Sequence, residues 1–303
     1  MDIAAIIFAI VLVGLFAAGW HFSNQVIKPK TYTREYLYEI ESDAKKFDRQ
    51  AYESWEREEV AIRSPNGYEL KGYYFPVEGS RKTVIICHGI TANLSLAIKY
   101  MDLYRDRGFN ILIYDHRNHG MSGGKNTTFG FYEKFDLKAW VDWVKEKCGE
   151  DCIIVTHGES MGAGIILQHL AIDDRVSVTV ADCGFSDLQT LLAFRLKADY
   201  HLPAFPLLNV TNFIVWMRTG MRFQEVSPIR AIAGSSQPIL FAHGMLDTFV
   251  PTFMSVEMYE QKPETRRLYL APGAAHVESY WKNHEAYGQA VAAFLAEALG
   301  EKV

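Results

Sequence analysis

Cysteine is scarce in this sequence. There are four among 303 residues, at positions 87, 148, 152 and 183, and no pair has the C-x-x-C spacing of a metal or redox motif. Cys87 and Cys183 each end an apolar run typical of a buried strand, so we interpret both as core residues. Cys148 and Cys152 either form a disulfide in an oxidising compartment or stay reduced, and the sequence leaves both alternatives open.

Long runs of one charge sign are also missing. The formal net charge is −5, the isoelectric point is near 6.1 and no stretch is rich in lysine or arginine, which gives no electrostatic reason to expect nucleic acid as a partner. Glycine-rich phosphate-binding and dinucleotide-binding motifs are absent from the sequence, as are internal repeats and low-complexity segments. We therefore predict a globular protein with no cofactor.

One long hydrophobic run is present, at the N-terminus. Ile3 to Trp20 is an uncharged stretch of 18 residues. As a helix it spans about 27 Å, close to the roughly 30 Å thickness of a bilayer core. A cleaved signal peptide is the alternative, because residues 17–19 are small, as at a cleavage site. Signal peptides begin with basic residues, however, whereas the segment before this run carries Asp2 and no basic residue. We predict a transmembrane anchor over residues 1–22.

A connector rich in charge and aromatic residues follows over 23–59. Lys28, Lys30 and Arg34 follow the apolar run within about 15 residues. The positive-inside rule therefore favours a cytoplasmic catalytic domain on a single-pass anchor in the cell membrane. The sequence says nothing of the oligomeric state.

From residue 60 to 303, apolar strands and helices alternate, and 49% of the whole sequence is apolar. Continuous apolar strands between helices predict a parallel sheet covered on both faces, here as one α/β domain. The Asn66-Gly67 pair predicts a turn between the first two strands, which form a hairpin. Residues 94–107 are predicted to form one helix. The predicted strands are 60–63, 68–75, 83–87, 110–114, 152–156, 176–181, 238–242 and 267–270.

The stretch Gly158-Glu159-Ser160-Met161-Gly162 lies between a predicted strand and a predicted helix. That is the setting of a G-x-S-x-G nucleophile elbow, in which two glycines let strand and helix approach around a strained, exposed serine. By itself the string is a weak signal, because it also arises by chance. We predict Ser160 as a nucleophile.

A serine nucleophile needs a base and an acid that orients the base. Asp247 and His276 each follow a later predicted strand, in the chain order nucleophile, acid, histidine. Asp182 and Asp187 are the alternative acids, and either position also suits an ordinary cap or turn residue. The order and spacing favour Asp247 with His276.

The oxyanion that forms during acyl transfer needs backbone donors. We predict the amides of Met161 and Ile90 as the two donors, the second from the loop after strand 83–87. The neighbouring Thr91 is the alternative to Ile90. His116 and His119 lie close together in a polar loop, but no third ligand has suitable spacing, so we predict no metal.

The apolar segment 185–226 interrupts the alternation after the sixth predicted strand. It follows the carboxyl end of that strand, where open α/β sheets bind ligands, so we interpret it as a cap over the site. Two ordinary core-packing helices are the alternative. The predicted substrate-binding residues are Tyr200, Phe205, Phe213, Trp216 and Met217.

Several motifs together resemble the α/β-hydrolase superfamily. They are His88-Gly89, the DHRNHGMSGG stretch at 115–124, GESMG, HGMLD at 243–247 and the late His276. Within the superfamily, the chain is similar to membrane-anchored bacterial members related to serine aminopeptidases and monoacylglycerol-lipase-like esterases. The resemblance covers residue 60 to the C-terminus and implies an eight-stranded, mostly parallel sheet with a helical cap after strand six. Asn118 departs from the glycine found in many relatives.

The expected activity is hydrolysis of carboxylic esters through an acyl-enzyme, with short to medium acyl chains or lipid-like esters as substrates. A peptidase or amidase of the serine aminopeptidase type is one alternative. A catalytically silent protein that binds a partner through the cap is another, although binding alone does not require a serine, an acid and a histidine together.

Overall fold

Eight strands form one sheet at the centre of the computed structural model, which describes residues 2–263 and 265–300. Met1 of the predicted anchor and residues 301–303 of the predicted catalytic domain lie outside the described residues. The strands are β1 (Glu58–Arg63), β2 (Glu69–Phe75), β3 (Lys82–Cys87), β4 (Asn110–Tyr114), β5 (Ile153–Glu159), β6 (Val178–Asp182), β7 (Ile239–Gly244) and β8 (Arg266–Ala271).

The strand order is β1-β2-β4-β3-β5-β6-β7-β8. β1 pairs antiparallel with β2 and β2 with β4, whereas the remaining pairs are parallel. Because successive side chains of a strand point to opposite faces, Ile85 packs into one hydrophobic core and Val84 into a second core across the sheet. The mostly parallel sheet with two buried faces is confirmed.

Helices cover both faces. The described α-helices are α1 (Ile3–Ile27), α2 (Arg34–Asp43), α3 (Arg49–Ser54), α4 (Asp102–Arg105), α5 (Glu133–Cys148), α6 (Met161–His169), α7 (Leu188–Tyr200), α8 (Leu207–Thr219), α9 (Pro228–Ile232), α10 (Phe253–Gln261), α11 (Ser279–Lys282) and α12 (His284–Leu299), with 3-10 segments at Leu94–Tyr100 and Phe223–Glu225. α5, α6, α9 and α10 lie on one face, and α4, α12 and the first 3-10 segment lie on the other. α7 and α8 follow β6, where the sequence predicts the cap.

The opening hairpin is confirmed. Gly67 in its turn has φ +89°, a conformation that glycine adopts without strain. The hydroxyls of Ser64 and Tyr68 donate hydrogen bonds to the Asp136 carboxylate on α5, at 2.5 and 2.6 Å. These bonds fasten the antiparallel edge of the sheet to the helical layer.

The prediction of one continuous helix over residues 94–107 is wrong. The chain instead forms the 3-10 segment Leu94–Tyr100 and then the short helix α4. At the start of the segment, two backbone N–H groups donate to side chains. Leu94 N–H donates to Asp115 Oδ1 at 2.8 Å, and Ser95 N–H donates to Asn93 Oδ1 at 3.0 Å. Most of its side chains are buried, so it lacks the solvent-facing stripe of a surface helix.

α1 is the one helix among the described residues that is long and apolar enough to cross a membrane. Most of its apolar side chains, from Ile3 to Trp20, are exposed. It continues five residues beyond the predicted boundary at 22 and ends at Ile27. Pro29 explains the end, because the residue before a proline is disfavoured in helical conformation.

Candidate active site

Ser160 occupies the turn between β5 and α6 with φ +55° and ψ −114°, a strained conformation for a residue with a side chain. The flanking glycines make the turn possible. A Cβ on Gly158 would lie 2.4 Å from the carbonyl oxygen of Gly162, and a Cβ on Gly162 would lie 2.0 Å from that of Cys87. The backbone therefore has the form of a nucleophile elbow, with the serine held above the sheet edge.

His276 and Asp247 reach this serine from neighbouring loops. His276 follows β8 and Asp247 follows β7, at the carboxyl edge where β5 also ends. The Ser160 Oγ lies 2.9 Å from His276 Nε2, and His276 Nδ1 lies 2.6 Å from Asp247 Oδ2. This geometry lets the imidazole accept the serine proton while its other nitrogen donates to the carboxylate.

The surroundings of Asp247 keep it ionised. Burial by itself would raise the pKa of Asp247, but hydrogen bonds from His243 and His276 outweigh burial and hold that pKa well below its ordinary value. Its Oδ1 also accepts from the backbone N–H groups of Phe249 and Val250, at 2.8 and 2.9 Å. A carboxylate fixed in this way can orient His276 and stabilise its protonated form.

His243 is a second histidine on Asp247 that our sequence reasoning missed. Its Nε2 lies 3.0 Å from Asp247 Oδ2, and its Nδ1 lies 2.7 Å from the Ser255 hydroxyl. The HGMLD motif contained the signal, since its first and last residues are His243 and Asp247.

The alternative acids lie elsewhere. Asp187 caps the start of α7, where its side chain accepts the Thr190 N–H at 3.1 Å. The side chain of Asp182 accepts from Tyr100, and its backbone carbonyl accepts the Ser160 N–H at 2.8 Å. Of the three carboxylates that the sequence offered, the structure brings Asp247 to His276.

The predicted oxyanion donors belong to two loops beside Ser160. Met161 begins α6, and Ile90 lines the same cavity as Ser160 and Met161. Thr91 has φ +66°, and its carbonyl accepts the Tyr32 N–H at 2.9 Å. Ile90 is thus among the residues that line the cavity at Ser160, whereas Thr91 is not.

A mostly apolar cavity of about 250 Å³ opens at Ser160. The two cap helices supply part of its wall, including Leu192, Leu196 and Tyr200 from α7 and Leu207 and Leu208 from α8. The end of α1 supplies another part through Phe22, Gln25 and Val26. The predicted anchor is thus continuous with a wall of the site, which the sequence did not reveal.

Of the five predicted substrate-binding residues, Tyr200 lines this cavity and four do not. Phe213, Trp216 and Met217 lie on the outer face of α8, and Phe205 is exposed in the loop before it. The side of α8 that faces inward carries Leu207, Leu208, Thr211 and Val215 instead. The prediction that these four side chains line the cavity is therefore wrong, because the face of α8 that carries Phe213, Trp216 and Met217 is turned away from it.

Comparisons with known proteins identify the family to which this fold belongs. The model of the alpha/beta hydrolase fold family matches residues 82–215. YqkD of Bacillus subtilis, an uncharacterized protein, is 38% identical to this chain over 97% of the chain and 96% of its own length. The chain belongs to the α/β-hydrolase superfamily. YNL320W of Saccharomyces cerevisiae, an uncharacterized membrane protein, is 24% identical over 74% of this hydrolase and 76% of its own length.

Solved structures also resemble this α/β hydrolase. The Pyrococcus furiosus esterase Pf2001 matches with a TM-score of 0.66 and 28% identity, over 83% of this hydrolase and 96% of the esterase. Est1E of Butyrivibrio proteoclasticus, solved with ferulic acid bound, matches with a TM-score of 0.65 and 21% identity over 80% of this hydrolase and all of Est1E, which supports the fold alone.

A buried charged network lies beneath the elbow of this hydrolase. Lys99 Nζ lies 2.5 Å from Glu159 Oε2, and the Tyr100 hydroxyl donates to Glu159 and, at 3.2 Å, to Asp182. Burial, reinforced by the negative charge of Glu159, raises the pKa of Asp182 to about 6. Glu159 directly precedes Ser160 in the chain, and the backbone carbonyl of Asp182 accepts the Ser160 N–H. The network therefore fixes the backbone on which the elbow is built.

Among the described residues, one group of side chains has donor atoms close enough together to hold a metal ion, and it includes two of the predicted site residues. One donor atom each from Cys183, Asp247 and His276 lies within 4.8 Å of the others, but Asp247 and His276 already bond each other. His116 and His119 are buried with ring centroids 4.3 and 5.3 Å from that of His88. Burial lowers the pKa of His116 to about 3, so its ring is neutral. His88 accepts the backbone N–H of His116 at 3.0 Å, which joins two loops.

Leucine at position 19 is expected to disturb the cavity wall. A Cβ on Gly19 would lie 2.7 Å from Val210 Cγ1 and 3.1 Å from Ile214 Cδ1, so the larger side chain must push α8 away from α1. We expect Gly19→Leu to raise KM for an octanoate ester about tenfold, while KM for an acetate ester changes little.

Gly14→Leu is the matched control, because nothing lies within 4 Å of a Cβ on Gly14 in the same helix. Steady-state kinetics with both esters measure the effect. Equal KM values in the two variants would show that contact between α1 and α8 does not shape the cavity.

Proposed function

We propose that this α/β hydrolase is a membrane-tethered serine esterase with Ser160, His276 and Asp247 as its catalytic triad. The observation that carries the proposal is the hydrogen-bonded chain from Ser160 through His276 to Asp247 at the mouth of an apolar cavity. The similarity to the Pyrococcus furiosus esterase supports ester hydrolysis as the reaction class.

In the proposed mechanism, His276 Nε2 takes the proton of Ser160 as Oγ attacks the ester carbonyl. Asp247 stabilises the imidazolium that results, and the backbone amides of Met161 and Ile90 stabilise the oxyanion. His276 then protonates the departing alcohol. A water molecule, deprotonated by the same imidazole, attacks the acyl-enzyme and releases the acid.

Esters fit the cavity better than amines or peptides do. Among the described residues that line the cavity, the cap contributes one carboxylate, Asp199. The Arg195 guanidinium lies 2.5 Å from Asp199 Oδ1. A paired carboxylate of this kind leaves little negative charge to hold a substrate ammonium group. The apolar lining and the modest volume favour an acyl chain of short to medium length.

The anchor and the cap have separate roles in this proposal. α1 crosses the cell membrane with its exposed apolar part, residues 23–59 connect it to the catalytic domain that starts near residue 60, and 185–226 forms the cap. Basic residues after the apolar run, Lys28, Lys30 and Arg34, favour a catalytic domain on the cytoplasmic side.

The proposal is tested on the full chain in mild detergent with a fluorophosphonate probe and a series of nitrophenyl esters. We expect covalent labelling of Ser160, located by mass spectrometry of the labelled peptide, and a maximum of kcat/KM above acetate. Absence of labelling in folded protein would overturn the esterase assignment. Labelling with a maximum at acetate would keep the serine hydrolase and reject the acyl-chain cavity.

A further inference from the structure

The active-site cavity lies close to the end of the membrane-spanning part of α1. The apolar run ends at Trp20, whereas the cavity wall begins at Phe22 and includes Val26 of the same uninterrupted helix. At 1.5 Å per residue, Val26 lies about 9 Å along the helix axis from Trp20. If α1 spans the bilayer, this part of the wall lies at the depth of the lipid headgroups.

The cap helix α8 reaches the same depth, because it packs directly on α1. Gly19 accommodates Val210 and Ile214 of α8, as the short Cβ distances at that position require. The Arg218 guanidinium donates to the Ser23 hydroxyl at 2.6 Å and lies 4.5 Å from the centre of the Trp20 ring. α8 is therefore fixed beside the membrane-proximal turns of α1.

The outer face of α8 is exposed and mostly apolar, with Asn209 as an exposed polar residue on the same side. Phe213, Trp216 and Met217 are 52%, 40% and 51% exposed, and Phe205 in the preceding loop is 76% exposed. The Arg222 guanidinium lies 5.1 Å from the centre of the Trp216 ring, which puts an exposed positive charge beside the apolar face. Aromatic and apolar side chains flanked by arginine are typical of a surface at the boundary of lipid headgroups and acyl chains.

We infer that the outer face of α8 is a second membrane contact, which rests on the lipid surface beside α1 and holds the mouth of the cavity there. Its occupant is the bilayer, because the face is continuous with the exposed apolar surface of the membrane-spanning helix. The inference rests on the proposed function in two respects: α1 spans the bilayer, and the ester enters from the lipid phase. The substrate is then an amphiphile whose acyl chain already lies in the leaflet.

The test compares two triple variants of the full chain reconstituted in vesicles of phosphatidylcholine and phosphatidylglycerol. The first changes the outer face to asparagine at Phe213, Trp216 and Met217. The matched control makes the same three replacements at exposed residues of the same types elsewhere, namely Phe135, Trp281 and Met121, which are 39%, 39% and 59% exposed. Each variant is assayed with umbelliferyl butyrate in solution and umbelliferyl oleate embedded in the vesicles.

We expect the outer-face variant to lose about tenfold or more in rate on the embedded ester, equivalent to at least 1.4 kcal/mol, while its rate on the soluble ester stays within about twofold of wild type. The control variant should keep both rates. Wild-type rates on both esters in the outer-face variant would overturn the inference.

A second measurement decides the case in which both rates fall together, and it does not depend on catalysis. A bimane fluorophore is attached at Phe213→Cys or at Phe135→Cys in a Cys148→Ser background, since the other three cysteines are buried. Brominated lipids should quench the fluorophore at 213 and not at 135. Equal quenching of the fluorophore at positions 213 and 135 would overturn the proposed membrane contact. Failure of the wild type to react with fluorophosphonate would overturn the esterase proposal alone.

Discussion

Replacing Ser160 by alanine is expected to lower kcat on a butyrate ester by about 10⁴-fold or more and to abolish fluorophosphonate labelling. In the proposed mechanism His276 deprotonates the Ser160 hydroxyl, and no other described nucleophile contacts that imidazole at Nε2. His276→Ala should cost a similar factor, because serine and base act as one unit. The double variant should therefore be no slower than either single variant, as measured by steady-state kinetics.

Ser186→Ala is the matched control for this experiment. Ser186 is also a buried serine, but it lies on the loop that leads from β6 into the cap. We expect it to keep its rate and its labelling. If Ser160→Ala retained a rate near wild type while folded by circular dichroism, another group would have to be the nucleophile.

Replacing Lys99 by methionine is expected to lower the free energy of unfolding by about 3–5 kcal/mol near neutral pH, because it leaves the buried Glu159 and Asp182 without their cation. Lys99 and Glu159 are both buried, so solvent does not compensate for the lost charge. Urea unfolding of the full chain in mild detergent measures the loss. Lys99→Met combined with Glu159→Gln should recover much of it, since the double variant removes both charges of the pair.

The same variant should show a characteristic pH dependence. Burial raises the pKa of Asp182 in the folded state to about 6, above its ordinary value of 3.8, so the folded state binds more protons than the unfolded state between these values. Stability attributable to this group therefore falls as pH rises through that window. Loss of Lys99 should raise the folded-state pKa of Asp182 further, so the deficit of Lys99→Met should be larger near pH 7.5 than at about pH 5. A deficit independent of pH would mean that packing rather than charge explains it.

The sequence carried enough information to predict the sheet and the placement of three site residues. Ser160, Asp247 and His276 each follow a strand of the parallel sheet, so they must lie at one edge, because parallel strands share their carboxyl ends. This needs only the order of strands and helices. The strained turn at Ser160 follows from the spacing of two glycines.

The contacts that the sequence missed are of two kinds. Lys99 meets Glu159 across 60 residues of chain, and no local pattern predicts which buried carboxylate a buried lysine will reach. The cap residues were misassigned for a different reason. Phe213, Trp216 and Met217 share one face of α8 and the inward residues another, but periodicity alone does not say which face meets the cavity when both are apolar.

The continuity of α1 with the cavity bears on how this protein should be handled at the bench. Removing the N-terminal helix is a common way to obtain a soluble enzyme. A shortened chain that begins after Ile27 would keep Ser160, His276 and Asp247 but lose Phe22, Gln25 and Val26 from the wall. Such a preparation would still react with a serine probe, yet its chain-length preference would describe a wider cleft than the one that the chain with α1 presents to its substrate.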